Sequence, residues 1–197
     1  MDPQITNLVP VLKSYWLTIH VSINSGSYGF LALAALLGFI SLTLFILRNP
    51  KRPQIDHAIE ELTKVAEMSI IVGLAMLTIG NMLGSVWANE SWGRYWSWDA
   101  KETWTLVSIL IYATIIHLRL IPKMPSTYLF ALLSTISFAT IIMTYFGVNF
   151  YLSGLHSYAA GDPVPIPDFV YYTIVIVTVI ALLAMRKRDR VIPLQKM

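Results

Sequence analysis

Hydrophobic side chains gather into five long blocks separated by short polar segments, over residues 28–47, 65–87, 104–121, 127–152 and 169–185. Each block reaches, or nearly reaches, the roughly 17 to 25 residues that a helix needs to cross the hydrocarbon core of a bilayer. The first block holds no charged group, the second has Glu67 near one end, the third has His117 and Arg119 near its far end, and the last two are uncharged. The pattern predicts an all-α fold: one domain over 1–197, a polytopic membrane helical bundle of about five transmembrane helices plus short interfacial helices. An odd number of spans places the termini on opposite faces.

The intervening segments carry their own signals. In residues 1–27, Leu12, Trp16 and Ile19 recur three or four apart, which predicts an amphipathic helix lying on the membrane surface, with His20 near its end. The connection RNPKRPQIDHAIEELTK opens with two prolines and then reads as a short surface helix in which His57 is solvated. Asp99 followed by Glu102 has capping-box spacing just ahead of an apolar run, so a helix is expected to begin there. The strip GDPVPIP cannot be helical and should be stiff and extended.

Basic residues choose the orientation, because those near span ends are retained on the cytoplasmic side. With the N-terminus outside and the C-terminus cytoplasmic, eleven of the fourteen Lys and Arg fall on the inner segments and only Lys13, Arg94 and Lys101 on the outer ones. The terminal RKRDR run then serves as a topology anchor, and the net charge of +3 needs no nucleic-acid partner. A composition of 56% hydrophobic and 13% charged residues excludes an ordinary soluble domain. Residues 1–27 lack the pattern of a cleavable signal peptide, so the spans themselves are expected to direct insertion. With no cysteine, the chain has neither disulfide, thiolate ligand nor thiol nucleophile, and any thiol chemistry must come from partners.

The segment WGRYWSWDAKETW packs four of the six tryptophans and four charged residues into thirteen positions, within an outer loop spanning 87–104. A short interfacial helix here would set Trp92 and Trp96 on one face. Tryptophan is common at the headgroup level of any membrane protein, yet belt tryptophans are scattered over span ends rather than collected in one loop. Topology also brings His20, this loop and His156 to the same side. Each histidine alone could be a hydrogen-bonded structural residue. Together, two imidazoles across an aromatic platform suit the axial positions of a haem iron, with Arg94 and Lys101 available to its propionates. A metal site using both histidines with Asp99 or Glu102 has no HxxxH or HExxH spacing to support it. His117 lies toward the cytoplasmic end of its span, where it either binds something or merely reaches the interface beside Arg119.

WGRYWSWDAKETW resembles the tryptophan-rich (WWD) signature of the CcsA/ResC haem-handling proteins, the membrane subunit of the system II cytochrome c synthetase, and more distantly CcmC and CcmF. SYWLTIHVS, SYGFLALAALLG, GSVWANESWGRYW, IIHLRLIP and MTYFGVNFYLSGLHSYAAGDPVPIP look like that family's segments in the same order, over about residues 14–167. The resemblance implies cytochrome c biogenesis at the bacterial cytoplasmic (inner) membrane, with haem b held at the periplasmic face by Trp87, Trp92, Trp96, Trp98 and Asp99 and ligated by His20 and His156. It makes His117 a ligand of an inner haem site. It implies a subunit of a holocytochrome c synthetase, a haem lyase, which works with a CcsB/ResB-type membrane partner, a thiol-reducing thioredoxin-like protein and apocytochrome c, whose CXXCH cysteines receive haem through thioether bonds. A CcmC-like haem chaperone without ligation activity, or a haem-b electron-transfer subunit, are the alternatives. Two departures stand out: Ala100 occupies a position where members often have proline, and the family's second intramembrane histidine has no counterpart among the four histidines here.

Overall fold

A computed structural model describes residues 14–121, 126–152, 154–155 and 165–188. Its elements are α1 (Tyr15–Leu47), α2 (Gln54–Trp92), α3 (Ala100–Leu118), α4 (Thr127–Tyr151) and α5 (Asp168–Met185). Among the described residues there is no strand. Four helices, α1, α2, α4 and α5, are long and apolar enough to cross a membrane. The 19-residue α3 is packed between α2 and α4 and, at 1.5 Å per residue, is about 28 Å long, close to the thickness of the hydrocarbon core. The chain is an integral membrane protein built as a polytopic helical bundle.

Two helices are longer than the apolar pattern predicts. The surface helix expected within 1–27 and the first span are one element from Tyr15 onward, while Leu12 lies outside the described residues. No proline interrupts that stretch, and two of its polar residues, Asn24 and Ser27, are buried against the bundle, while Thr18, Ser22 and Ser25 are exposed. The inner connection likewise becomes helical at Gln54, directly after Pro53, and runs unbroken into the second span. Proline is tolerated there because the first turn has no backbone acceptor to lose. At the far end α2 stops at Gly93, which adopts φ +73° and donates its N–H to the Asn89 carbonyl at 2.8 Å. The expected helix carrying Trp92 and Trp96 on one face is therefore absent. Trp92 closes α2, and residues 94–99 are not helical.

The core lies where α1 to α4 meet, around Leu31, Ile70, Leu77, Tyr112, Phe130 and Ile141. In lipid there is little hydrophobic drive between helices, so close contact depends on small residues and on hydroxyls that satisfy themselves locally. Ser41, Ser69 and Ser134 bond the carbonyls four residues back, and Ser108 meets Thr144 across the α3–α4 contact at 3.3 Å. A Cβ at Gly38 would stand 2.7 Å from the Ala131 carbonyl oxygen, which shows how closely α1 and α4 approach. A π-helical turn, Met143–Gly147, interrupts α4 and presents Tyr145 edge-on to Tyr28, with ring centroids 6.4 Å apart. Such single turns accommodate an extra residue within a helix.

Charged residues fasten the end of the bundle that carries the basic clusters. Arg48, 6% exposed, pairs with Asp56 and donates from Nη1 to the Lys187 carbonyl at 3.3 Å. Lys187 in turn donates to the carbonyls of Ile46 and Arg48 at 2.6 and 3.2 Å. Arg119 pairs with Glu67 at 3.1 Å and lies over the Phe130 ring. Helix α5 is attached mainly here, through Ala181, Ala184 and the Tyr128 hydroxyl donating to the Ala181 carbonyl at 2.9 Å. Removing one partner of a buried pair leaves the other charge uncompensated. Arg48→Ala should therefore lower the melting temperature in detergent, by about 3 kcal/mol of stability at most because the Asp56 carboxylate left behind is only partly buried, whereas Lys64→Ala in an exposed pair should leave the melting temperature nearly unchanged.

Candidate functional site at the aromatic end

The opposite end of the bundle gathers the start of α1, the end of α2, the start of α3 and the end of α4. Ser14 donates to Glu90 at 3.3 Å, and the Lys101 ammonium donates to Asn149 Oδ1 at 3.3 Å, which bind α1 to α2 and α3 to α4 there.

His20 lies in the second turn of α1 and is half-buried against α2. Its Nδ1 is 2.7 Å from the Gly80 carbonyl oxygen. A carbonyl can only accept, so a proton on Nδ1 would make this bond, while the Asn24 amide nitrogen lies 3.5 Å from Nε2. The ring reaches the α2 main chain because two glycines lie beneath it. A Cβ at Gly84 would overlap the imidazole, and one at Gly80 would overlap the Asn24 side chain. Asn24, one turn along α1, sets its amide 3.2 Å from Nδ1. On its other side the imidazole lies parallel to Trp87, with centroids 6.5 Å apart and planes 10° from parallel. Trp87, 1% exposed, meets Trp92 edge-on at 4.8 Å.

A second aromatic pair follows. Trp96 and Trp98 are perpendicular at 5.6 Å. The Trp96 indole Nε1 is buried and has no hydrogen-bond partner among the described residues. Trp98 is 70% exposed and has φ +57°, the sole positive φ outside glycine among the described residues. A bulky residue in this region is strained by about 1 to 3 kcal/mol, so its surroundings must hold it. Glu102 does so by accepting the N–H groups of Ser97 and Asp99 at 2.8 and 3.2 Å. Asp99 accepts the Lys101 N–H at 3.2 Å and completes the capping box by accepting the Glu102 N–H, and α3 begins where the sequence spacing placed it.

Asp99 has another contact that the sequence did not disclose. Its Oδ1 accepts the Leu155 N–H at 2.6 Å, although the two residues are 56 positions apart. The carboxylate is 8% exposed, and Gly154 sits so close that a Cβ there would overlap Oδ1.

Of the residues singled out from sequence, His20, Trp87 and Trp92 form one stack. Trp96, Trp98 and Asp99 form the lead-in to α3. Arg94 is exposed at the surface. Lys101 is turned onto Asn149 and the face of Tyr145, 5.8 Å from its centroid. Burial lowers its pKa from the usual lysine range, and the Asp99 carboxylate partly offsets this. His117 is exposed in the last turn of α3, about 27 Å along the helix from Asp99, and its Nδ1 donates to the Ala113 carbonyl at 2.7 Å. His156 lies outside the described residues. The sequence reading missed Asn24, Gly80, Gly84 and Asn149. GNMLG, residues 80–84, is a small-xxx-small spacing on an apolar helix and could have flagged the close approach.

The fold and this end of the molecule define a polytopic membrane protein with an aromatic, histidine-bearing platform at one end of the bundle. Residues 1–156 match the family model described as cytochrome C assembly protein, and the chain belongs to that family. It is 59% identical to Protein NrfI of Wolinella succinogenes over 165 residues, which is 84% of this chain and 18% of that protein. It is 39% identical to the cytochrome c biogenesis protein CcsA of Prochlorococcus marinus strain MIT 9312 over 179 residues, covering 78% of this chain and 57% of that one. CcsA of Chlamydomonas reinhardtii is also 39% identical, over 155 residues, with 79% of this chain and 44% of that protein covered. The chain thus spans about half the length of these CcsA proteins and a smaller part of NrfI, and it is CcsA-type.

Two substitutions test the geometry. Gly84→Ala should displace the His20 ring and destabilise the protein by about 1 to 3 kcal/mol, the usual cost of overpacking, measured by thermal unfolding in detergent. Trp98→Gly should raise stability by about 1 kcal/mol in the same assay, because glycine adopts positive φ without steric cost.

Proposed function

We propose that this chain serves cytochrome c biogenesis by holding haem b at the aromatic end of the bundle, with His20 and His156 as axial ligands of the iron. The observation that carries this reading is the 2.7 Å contact between His20 Nδ1 and the Gly80 carbonyl. An imidazole whose Nδ1–H is bonded to a main-chain carbonyl has its Nε2 lone pair fixed in direction, which is the usual second-shell arrangement of a metal-ligating histidine. Trp87 backs the ring from inside the bundle and Trp92 supplies apolar area beside it, and the Trp96 Nε1–H, without a partner among the described residues, can donate to an oxygen of a bound molecule. Arg94 is exposed and would pair with a haem propionate.

The haem vinyl groups are the sites to which the two thiols of an apocytochrome CXXCH segment add. The chain's own contribution is placement: His20 and the tryptophans orient, and the absence of cysteine leaves no resident thiol to compete with the incoming pair. The covalent step belongs to a holocytochrome c synthetase formed with a CcsB/ResB-type membrane subunit, served by a thioredoxin-like reductant. The aromatic end faces the periplasm of a bacterial cytoplasmic membrane, a reading supported by the basic residues Arg48, Lys51, Arg52, Lys64, Arg119 and Lys187 at the opposite end of the helices. His117, at that inner end, would contribute to a haem site there.

Purified with its membrane partner, the wild-type protein should carry haem with the absorption spectrum of a six-coordinate, bis-histidine iron. His20→Ala and His156→Ala should each lose that spectrum and regain it with added imidazole. Trp92→Ala should retain less haem while inserting normally. Unchanged spectra in both histidine variants would defeat the ligand assignment.

A further inference from the structure

Asn24 is 8% exposed on a membrane helix, yet its side-chain oxygen has no hydrogen-bond partner among the described residues. Burying an unpaired amide oxygen costs stability, so packing alone does not account for asparagine at this position. What the side chain touches is the His20 ring, one turn back on the same face of α1. The amide nitrogen is 3.2 Å from Nδ1 and 3.5 Å from Nε2. The in-plane axes of the two ring nitrogens point away from each other, so a donor on either axis would stand well away from the other nitrogen. Near-equal distances therefore put the amide against the body of the ring, on neither axis. Helix α2 is cut to receive this pair: a Cβ at Gly84 would overlap the imidazole, and one at Gly80 would overlap Asn24 Oδ1. The ring is thus confined by three contacts, the Gly80 carbonyl at Nδ1, the Asn24 amide and the α2 backbone at Gly84.

We propose that Asn24 is a positioning residue for haem ligation, one whose amide holds the His20 ring in the single rotation that keeps Nδ1 on the Gly80 carbonyl, and so fixes the direction of Nε2, without itself touching haem. This rests on the ligand role proposed above for His20. The chemistry explains why the residue is polar. Turning the imidazole over would exchange its two nitrogens for carbons, and a polar N–H lying beside both nitrogens distinguishes the two orientations. An apolar side chain of the same size would fill the space and leave them nearly equivalent. The unpaired oxygen is the cost of that discrimination, and glycine at position 80 is what lets the oxygen fit.

Two substitutions remove the amide: Asn24→Leu replaces it with an apolar branch, and Asn24→Ala does so without adding bulk. Haem-free Asn24→Leu should melt in detergent no lower than wild type, because the unpaired oxygen is gone. In haem-free protein labelled with nitrogen-15 histidine, the His20 ring signals, assigned by their loss in His20→Ala, should shift and broaden in both Asn24 variants as the ring gains a second orientation. Loaded with haem beside the membrane partner, both should retain less haem than wild type but more than His20→Ala, and recover with added imidazole. Their electron paramagnetic resonance g values, which report how ligand rings are turned about a low-spin ferric iron, should differ from wild type. The double variant Asn24→Leu/His20→Ala should lose no more haem than His20→Ala alone, because both changes act on one ligand.

Wild-type g values and haem content in both Asn24 variants, beside a defective His20→Ala, would overturn the positioning role and leave the ligand assignment standing. Losses that add in the double variant would overturn it as well, since Asn24 would then act on haem by itself. An Asn24→Leu protein that melts far below wild type, together with unchanged His20 ring signals in Asn24→Ala, would reduce the residue to a structural contact. An unaltered spectrum in His20→Ala would remove the ligand and the positioning role together.

Discussion

A side chain of one membrane helix can bond the main chain of its neighbour only if the two axes come very close, and α1 and α2 do this over Gly80 and Gly84. The rest of the aromatic end depends on that approach. It brings the His20 ring to the Gly80 carbonyl, and it turns the ring parallel to Trp87. With larger residues at these glycines the helices would separate, and His20 would face lipid or headgroups as a freely rotating surface histidine. The contact also fits α1 being one helix from Tyr15 onward: its polar residues Asn24 and Ser27 are buried inside the bundle, with the Ser27 hydroxyl donating to the Asn24 carbonyl at 2.7 Å.

The two ends of the bundle use charge differently. At the basic end, Arg48, Asp56 and Lys187 bond one another and the exposed carbonyls that finish α1 and α5, so charges close helix termini. At the aromatic end the carboxylates of Asp99 and Glu102 accept backbone N–H groups of the non-helical link between α2 and α3. That link holds a strained Trp98 with its indole exposed, and the capping box beside it provides the rigidity that such strain requires. Stability is thus concentrated in the basic end and the helix core, while the aromatic end holds exposed rings on a firm base.

Helix α5 is a partial exception to the bundle. Ala181 and Ala184 are its buried residues, and its apolar side chains otherwise face outward, as they would toward lipid. Its attachment through the Tyr128 hydroxyl and Lys187 lies at the basic end. Small residues and a few directed bonds, rather than a broad interface, hold it there, as expected where lipid and protein are equally apolar.

Much of this was legible in the chain itself. The length and apolarity of the blocks prescribe membrane helices because an unbonded backbone cannot exist in lipid, and the Asp99–Glu102 spacing located the start of α3 because capping is local chemistry. His20 and the tryptophan loop could be collected at one end by counting spans, while His156 lies outside the described residues. Helix ends were harder: the apolar pattern marks what lies in lipid, whereas the hydrogen-bond ladder continues into water until something breaks it, so α1 and α2 extend well beyond their apolar blocks and stop Trp92 and Trp96 from sharing a face. What the tertiary structure alone decided was pairing. That His20 bonds the Gly80 carbonyl, and that Asp99 accepts the Leu155 N–H, depends on how closely two distant segments pack, and no local pattern encodes a distance across the fold.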